Sequence, residues 1–329
     1  MKSLLTQLYA RHPLSRKTAY TTLCRIANGE AADPEIAAVV SAINMRPVSL
    51  TEIQGFRDAL LELAIPLDLA GRETIDIVGT GGDGKNTFNI STLSCVVVAG
   101  AGYPVTKHGS YGVSSNVGSS DVLLALGYEF SNDRDRLLGD LDRAGICFLH
   151  APLFHPAMKN VVPVRKALRV RTFFNLLGPL INPARPKYQL FGTYDREVSR
   201  IYDYMLQAET QREYLIVHAL DGYDEISLTG GSSVRGRRSQ AVLHPNDFGL
   251  PMLSPDALYG GETPEAGKAI FLGVLDNAAT EAQLAVVCAN AGLAIHVVHP
   301  ERSLTDCVAE ARESIVSGRA RDVLRKLLS

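Results

Sequence analysis

The sequence predicts an α/β protein, with a small all-helical domain and a large α/β domain built on a mainly parallel central sheet. Three observations predict it. Residues 1–65 carry helical apolar spacing throughout. From Glu73 onward, short β-branched runs alternate with helical stretches. Two of those runs end in loops crowded with glycine and small polar residues, each directly before a helix.

In chain order, Leu4, Leu5 and Leu8 repeat at helical spacing, as do Ile36, Val39, Val40 and Ile43. Asp33-Pro34 reads as an N-cap followed by proline at the first helical position. Strands are expected at 74–78, 104–106 and 146–149, with helices at 89–101, 119–126 and 134–144 between and around them. A helix at 197–208 and a strand at 214–218 follow, then a short strand at 226–228. Residues 229–253, polar and marked by the basic cluster Arg235-Gly236-Arg237-Arg238, are expected to form loops and short antiparallel strands. Helices are expected again at 264–277, 281–291 and 304–326. The division is a helical domain at 1–70 and an α/β domain at 71–329, with part of the proline-rich passage 156–186 able to return to the helical domain.

Composition narrows the function. A chain of 329 residues, 46% hydrophobic and 21% charged, has ample material for a core. The net charge of −2 predicts no general attraction to nucleic acid or acidic membranes, so a bound phosphate needs a local site. Five scattered cysteines without CxxC spacing argue against disulfides or zinc and for a reducing cytoplasm. The N-terminus is too polar for a signal peptide, and the apolar run 95–101 is far too short to span a membrane. A soluble, cytoplasmic protein is expected.

Segment 78–92, VGTGGDGKNTFNIST, is the most informative. Gly79, Gly81, Gly82 and Gly84 crowd a turn between a strand and a helix, where backbone N–H groups can approach a ligand closely. The helix start adds unpaired N–H groups and a positive dipole end. Thr87, Asn89, Ser91 and Thr92 add uncharged donors. The unit suits a phosphate or pyrophosphate, although an ordinary turn with a helix cap uses the same residues. It matches neither the P-loop nor the dinucleotide fingerprint. A second loop, KHGSYGVSSNVGSSD (107–121), brings the cation Lys107, with Ser119 or Ser120 as helix cap. A third, DGYDE (221–225), sets adjacent carboxylates on a turn, a pattern suited to magnesium held together with substrate phosphates.

At these residues the chain resembles the anthranilate phosphoribosyltransferase family of tryptophan biosynthesis. GTGGD with TFNIST, KHG with SS and GS-D, HPAMKNVVPVRKAL with RT-FNLLGPL-NPA, and DG-DEIS-TG occur in family order and spacing. The resemblance implies the fold of nucleoside phosphorylases and phosphoribosyltransferases, a homodimer formed through the small domain, and a hinge that closes the site. It implies that phosphoribosyl pyrophosphate is bound by Gly79, Gly82, Asp83, Thr87, Asn89, Ser91, Thr92, Lys107 and Ser119. Two magnesium ions per subunit would be held by Ser91, Asp224 and Glu225. Anthranilate would meet Gly79, His108, Ser110, His155 and Arg165, the arginine taking its carboxylate. Lys107, Asp224 and Glu225 would act electrostatically, with no general base.

The family usually has asparagine and arginine after KHG, where this chain has Ser110 and Tyr111. A transferase with another aromatic acceptor is therefore one alternative, and a pyrimidine nucleoside phosphorylase, which also acts at a ribose C1, is another. A noncatalytic phosphometabolite-binding descendant would show damage in the glycine loop or the acidic turn, and both are intact. Any anthranilate synthase partner would be a separate chain.

Overall fold

The structure, a computed structural model, describes residues 1–112 and 117–329. Ser114, Ser115 and Asn116 of the second loop lie outside the described residues. In chain order the first elements are helices α1 (Lys2–Tyr9), α2 (Arg16–Ala27), α3 (Asp33–Asn44) and α4 (Leu50–Glu62). Then come β1 (Ile75–Gly79), α5 (Ile90–Gly100), β2 (Val105–Gly109), α6 (Ser119–Ala125), α7 (Arg134–Ala144) and β3 (Ile146–His150). Two short helices, α8 (Ala151–Phe154) and α9 (Val162–Leu168), precede β4 (Tyr188–Gly192), α10 (Arg196–Leu206) and β5 (Glu213–Ala219). The chain ends with β6 (Ser232–Gly236), β7 (Gln240–Leu243), α11 (Pro264–Leu275), α12 (Glu281–Val298), α13 (Leu304–Val316) and α14 (Arg319–Leu328).

Two compact units result, Met1–Leu67 with Ala151–Arg185, and Asp68–His150 with Pro186–Ser329. The return segment thus starts five residues before the proline-rich passage, because α8 already packs in the helical unit: Ile65 N–H donates to Phe154 O at 2.9 Å. In the same unit Asn160 Nδ2 ties α2 at Ala27 O (2.9 Å), and the Phe56 and Phe173 rings stack at 4.4 Å. The N-cap of α3 is Ala32, not Asp33. Glu35 reaches back to the Ala32 N–H at 3.0 Å, and this fixes the helix start one residue earlier than expected.

The α/β unit holds a seven-stranded sheet in the order β3-β2-β1-β4-β5-β6-β7. The first five strands are parallel and the last two antiparallel. Chain order reverses beside β1, which has β2 on one side and β4 on the other. Such a switch point opens a crevice at the carboxyl ends of the strands. The apolar helices α5 and α12 are buried along nearly their whole length, as core helices of the unit. Helix α12 runs to Val298, well past the expected 291, because its buried apolar face continues through Ile295 and Val297.

Two expected elements differ. The helix at 304–326 is two helices, since Gly318 takes φ +78° and ends the first run. Residues 226–228 form no strand. Both backbone groups of Ile226 are taken by the side chain of Asn290, and Leu228 has φ +60°. Ile226 is therefore paired with a side chain, not with a neighbouring strand.

Candidate active site

The site begins where β1 and β4 end. Gly79 and Gly192 are register partners there, and the Asp224 residue lies directly over both. A Cβ on Gly79 would fall inside the Asp224 carboxylate, and one on Gly192 would fall on the Asp224 carbonyl oxygen. These two glycines are required by close approach, not by backbone conformation.

Beyond Gly79 the glycine loop turns through Gly81, Gly82 and Gly84 with φ of +63°, +78° and +73°. Gly81 N–H donates to Asp224 Oδ2 at 2.7 Å, joining residues 143 apart in the chain. The far side of the loop is stapled to residues 258–261: Phe88 N–H donates to Leu258 O at 3.2 Å and Gly260 N–H to Asn86 O at 2.9 Å. Thr87 is half-buried and forms an isolated bridge with Tyr259. Asp83 Oδ1 accepts from Lys85 N–H at 3.1 Å, and the Lys85 ammonium lies 4.7 Å from the centre of the Tyr223 ring.

Helix α5 starts after Asn89, whose Nδ2 donates to Val117 O at 3.1 Å. Ser91 in its first turn donates to Glu225 Oε1 twice, from its N–H at 2.9 Å and its hydroxyl at 2.7 Å. Thr92 is buried beside it. The glycine loop and the acidic turn are thus one constellation at the switch point.

Electrostatics mark the same place. Burial and the neighbouring charges of Asp224 and Asp83 push the Glu225 carboxyl up to about 8, against the bonds from Ser91. A cation at this position would relieve that repulsion and favour the carboxylate. The donors are all oxygen: two carboxylates and the Ser91 hydroxyl. Among the described residues no group of three His, Cys, Asp or Glu side chains converges. The protein therefore supplies few ligands, which fits magnesium, an ion that keeps waters and is completed by substrate phosphates.

On β2, Lys107 and His108 are both buried. Lys107 Nζ donates to His108 O at 3.0 Å, and His108 N–H donates to Asp76 Oδ1 at 3.3 Å. Ser110 O accepts from Ser119 Oγ at 3.2 Å and from Ser120 N–H at 3.1 Å. The N-cap of α6 is Gly118, not a serine. Asp121 Oδ2 takes the N–H groups of Gly118 (2.8 Å) and Gly112 (2.9 Å), which leaves both serine hydroxyls for lateral bonds. Ser120 Oγ meets His150 Nδ1 at 2.9 Å, and the Tyr111 ring stands edge-on to His150 at 4.9 Å.

His155 and Arg165 belong to the helical unit. Burial lowers the His155 pKa to about 4, so its ring is neutral at pH 7. The Arg165 guanidinium, on α9, lies 5.6 Å from the Phe174 ring centre and donates to Asn175 Oδ1 at 3.4 Å. Burial lowers its pKa, and no described carboxylate pairs with it. Such a group favours an incoming anion.

Gly192 and Asn290 escaped the sequence reading. A signal existed for Asn290, the lone amide in the otherwise apolar run 284–295.

Comparison with known proteins agrees over the whole chain. Residues 2–64 match a family model described as the glycosyl transferase family helical bundle domain, and residues 71–321 match the a/b domain of that family. The chain is 52% identical over 326 residues to the anthranilate phosphoribosyltransferase of Cytophaga hutchinsonii, covering 99% of each chain. It is 48% identical over 328 residues to that of Bacteroides fragilis, covering 100% of this chain and 99% of the relative. Among solved structures, it resembles the Thermus thermophilus anthranilate phosphoribosyltransferase with TM-score 0.88 and 34% identity, covering 99% of this chain and 98% of that one. The Saccharomyces cerevisiae enzyme in complex with PRPP and Mg gives TM-score 0.92 at 26% identity, covering 99% and 96%. The chain belongs to the anthranilate phosphoribosyltransferase family.

Proposed function

We propose that this chain transfers the phosphoribosyl group of phosphoribosyl pyrophosphate to the amine of anthranilate, giving N-(5-phosphoribosyl)anthranilate and pyrophosphate in tryptophan biosynthesis. The observation that carries the reading is the union of the glycine loop with the acidic turn, through Gly81 to Asp224 and Ser91 to Glu225. Gly79, Gly82, Asp83, Thr87, Asn89, Ser91, Thr92, Lys107 and Ser119 bind the activated sugar. Ser91, Asp224 and Glu225 hold two magnesium ions per subunit, which when bound neutralise charge on the departing pyrophosphate.

The protein's own part is positional and electrostatic. Cleavage of the C1–O bond builds negative charge on pyrophosphate, which the loop N–H groups, the α5 N-terminus and Lys107 would stabilise. Arg165 takes the acceptor's carboxylate, with Gly79, His108, Ser110 and His155 as its other contacts. The aromatic amine is uncharged at neutral pH and attacks C1 as pyrophosphate leaves, so no base is needed before attack; the surplus N–H proton then passes to water or to the departing pyrophosphate. Ser110 and Tyr111 bear on acceptor affinity and leave the phosphate side intact. We further infer a cytoplasmic homodimer.

Mixing the protein with phosphoribosyl pyrophosphate, magnesium and anthranilate tests the reading through anthranilate fluorescence. Loss of signal matched by pyrophosphate release is expected, with no phosphorolysis of uridine or thymidine. Stable anthranilate fluorescence, or nucleoside cleavage by phosphate, would refute it.

A further inference from the structure

Asn290 is 3% exposed and is the only residue in the run 284–295 with a side-chain amide or hydroxyl. Burying an amide there is costly unless its bonds are made. Two of the three go to Ile226, the residue that follows the acidic turn. Asn290 Oδ1 accepts from Ile226 N–H at 3.0 Å, and Nδ2 donates to Ile226 O at 2.8 Å and to Val286 O at 2.9 Å. Only this orientation of the amide fits, since a flip would set like groups against each other at all three contacts. Two bonds to one peptide residue fix both its position and its rotation, as a paired strand would.

Ile226 directly follows Glu225, and Asn290 lines the same small cavity as Ser91, Asp224 and Glu225. We propose that Asn290 is a positioning residue for metal binding: it stands in for a missing strand partner and holds Asp224 and Glu225 at their magnesium-binding geometry. The inference rests on the metal role of those two carboxylates. Without the amide, Ile226 has a buried N–H and C=O to satisfy elsewhere, and the turn shifts to do so. Shifts of an ångström at such a site cost on the order of a hundredfold in function.

The test is manganese(II) binding, followed by loss of the free-ion paramagnetic resonance signal with phosphoribosyl pyrophosphate present. Asn290→Leu is expected to weaken manganese at least tenfold and to raise, in proportion, the magnesium concentration needed for half-maximal rate. Ser314→Ala, which removes a buried bond to Val97 O (2.8 Å), serves as the stability control and is expected to keep wild-type metal affinity. Folded Asn290→Leu with wild-type manganese affinity would overturn the proposal, and so would equal weakening in Ser314→Ala. Should the leucine variant not fold, Asn290→Asp keeps the acceptor and loses the donor. It is expected to weaken the metal by releasing the Ile226 carbonyl, and wild-type manganese affinity would be decisive against the idea. Asp224→Asn with Glu225→Gln separates the two claims. If that double variant binds manganese normally, the metal assignment itself fails. If it loses the metal while Asn290→Leu keeps it, only the positioning role fails.

Discussion

The proposed diphosphate side and the proposed acceptor side of this protein are built by different means. The first is mostly main chain: N–H groups of a glycine loop and a helix start, locked to two carboxylates within 2.9 Å at a switch point of the sheet. The second consists of individual side chains whose surroundings set their chemistry, a neutral buried His155 and a half-buried Arg165 that pairs with no described carboxylate. Backbone grips tolerate almost no change in shape. Side-chain contacts can be tuned one at a time, as proposed for Ser110 and Tyr111.

Substitution should expose that difference, and the largest effect is expected at the acidic turn. Asp224→Asn with Glu225→Gln should lower kcat/KM at least ~10³-fold with native circular dichroism, since it removes the charges that recruit metal to the leaving group. Near-normal turnover in the folded variant would reject the metal assignment. Gly79→Ala comes next. Its Cβ would displace the Asp224 carboxylate, and a loss of roughly a hundredfold is expected, with the KM for phosphoribosyl pyrophosphate raised more than that for anthranilate. Arg165→Gln should show the reverse split, an anthranilate KM raised by about tenfold to a hundredfold, the worth of one charge-assisted bond, with the sugar's affinity intact. Steady-state kinetics with each substrate varied in turn reads both, and identical splits would erase the distinction drawn here.

The smallest effect is in pH dependence, where the two sides have opposite signs. Glu225 folds with its carboxyl raised, so its contribution to metal-free stability is present below the ordinary carboxylate pKa and is lost as pH rises through about 8. His155 folds with its pKa lowered. Its contribution is present above the ordinary value near 6.5 and is lost as pH falls through about 4. Melting curves of metal-free protein should therefore lose stability toward alkaline pH, and Glu225→Gln should flatten that limb alone. A limb unchanged by the substitution would contradict the assignment.

Much of this was legible in the residues. Helix α7 has the expected bounds because both ends carry a local signal, the Asp133 cap and Gly145 with φ +75°. The glycine loop was readable for the same reason, since glycine density reports backbone demands directly. Interactions between distant segments were not readable. No local pattern tells that Asn290 replaces a strand beside Ile226, or that Gly192 must lack a side chain because the Asp224 carbonyl lies on it. The return of 151–185 to the helical unit was readable only in part: the proline-rich passage 156–186 suggested it, while its start at Ala151 and bonds such as Leu67 N–H to Pro183 O at 3.3 Å left no local mark.

The most direct measurement is calorimetric titration of the folded protein with phosphoribosyl pyrophosphate, with and without magnesium. A grip made jointly by loop amides and a metal-bearing acidic turn predicts clear heat of binding with magnesium and at least tenfold weaker binding without it. Equal affinity in both conditions, or no binding in either, would contradict the account.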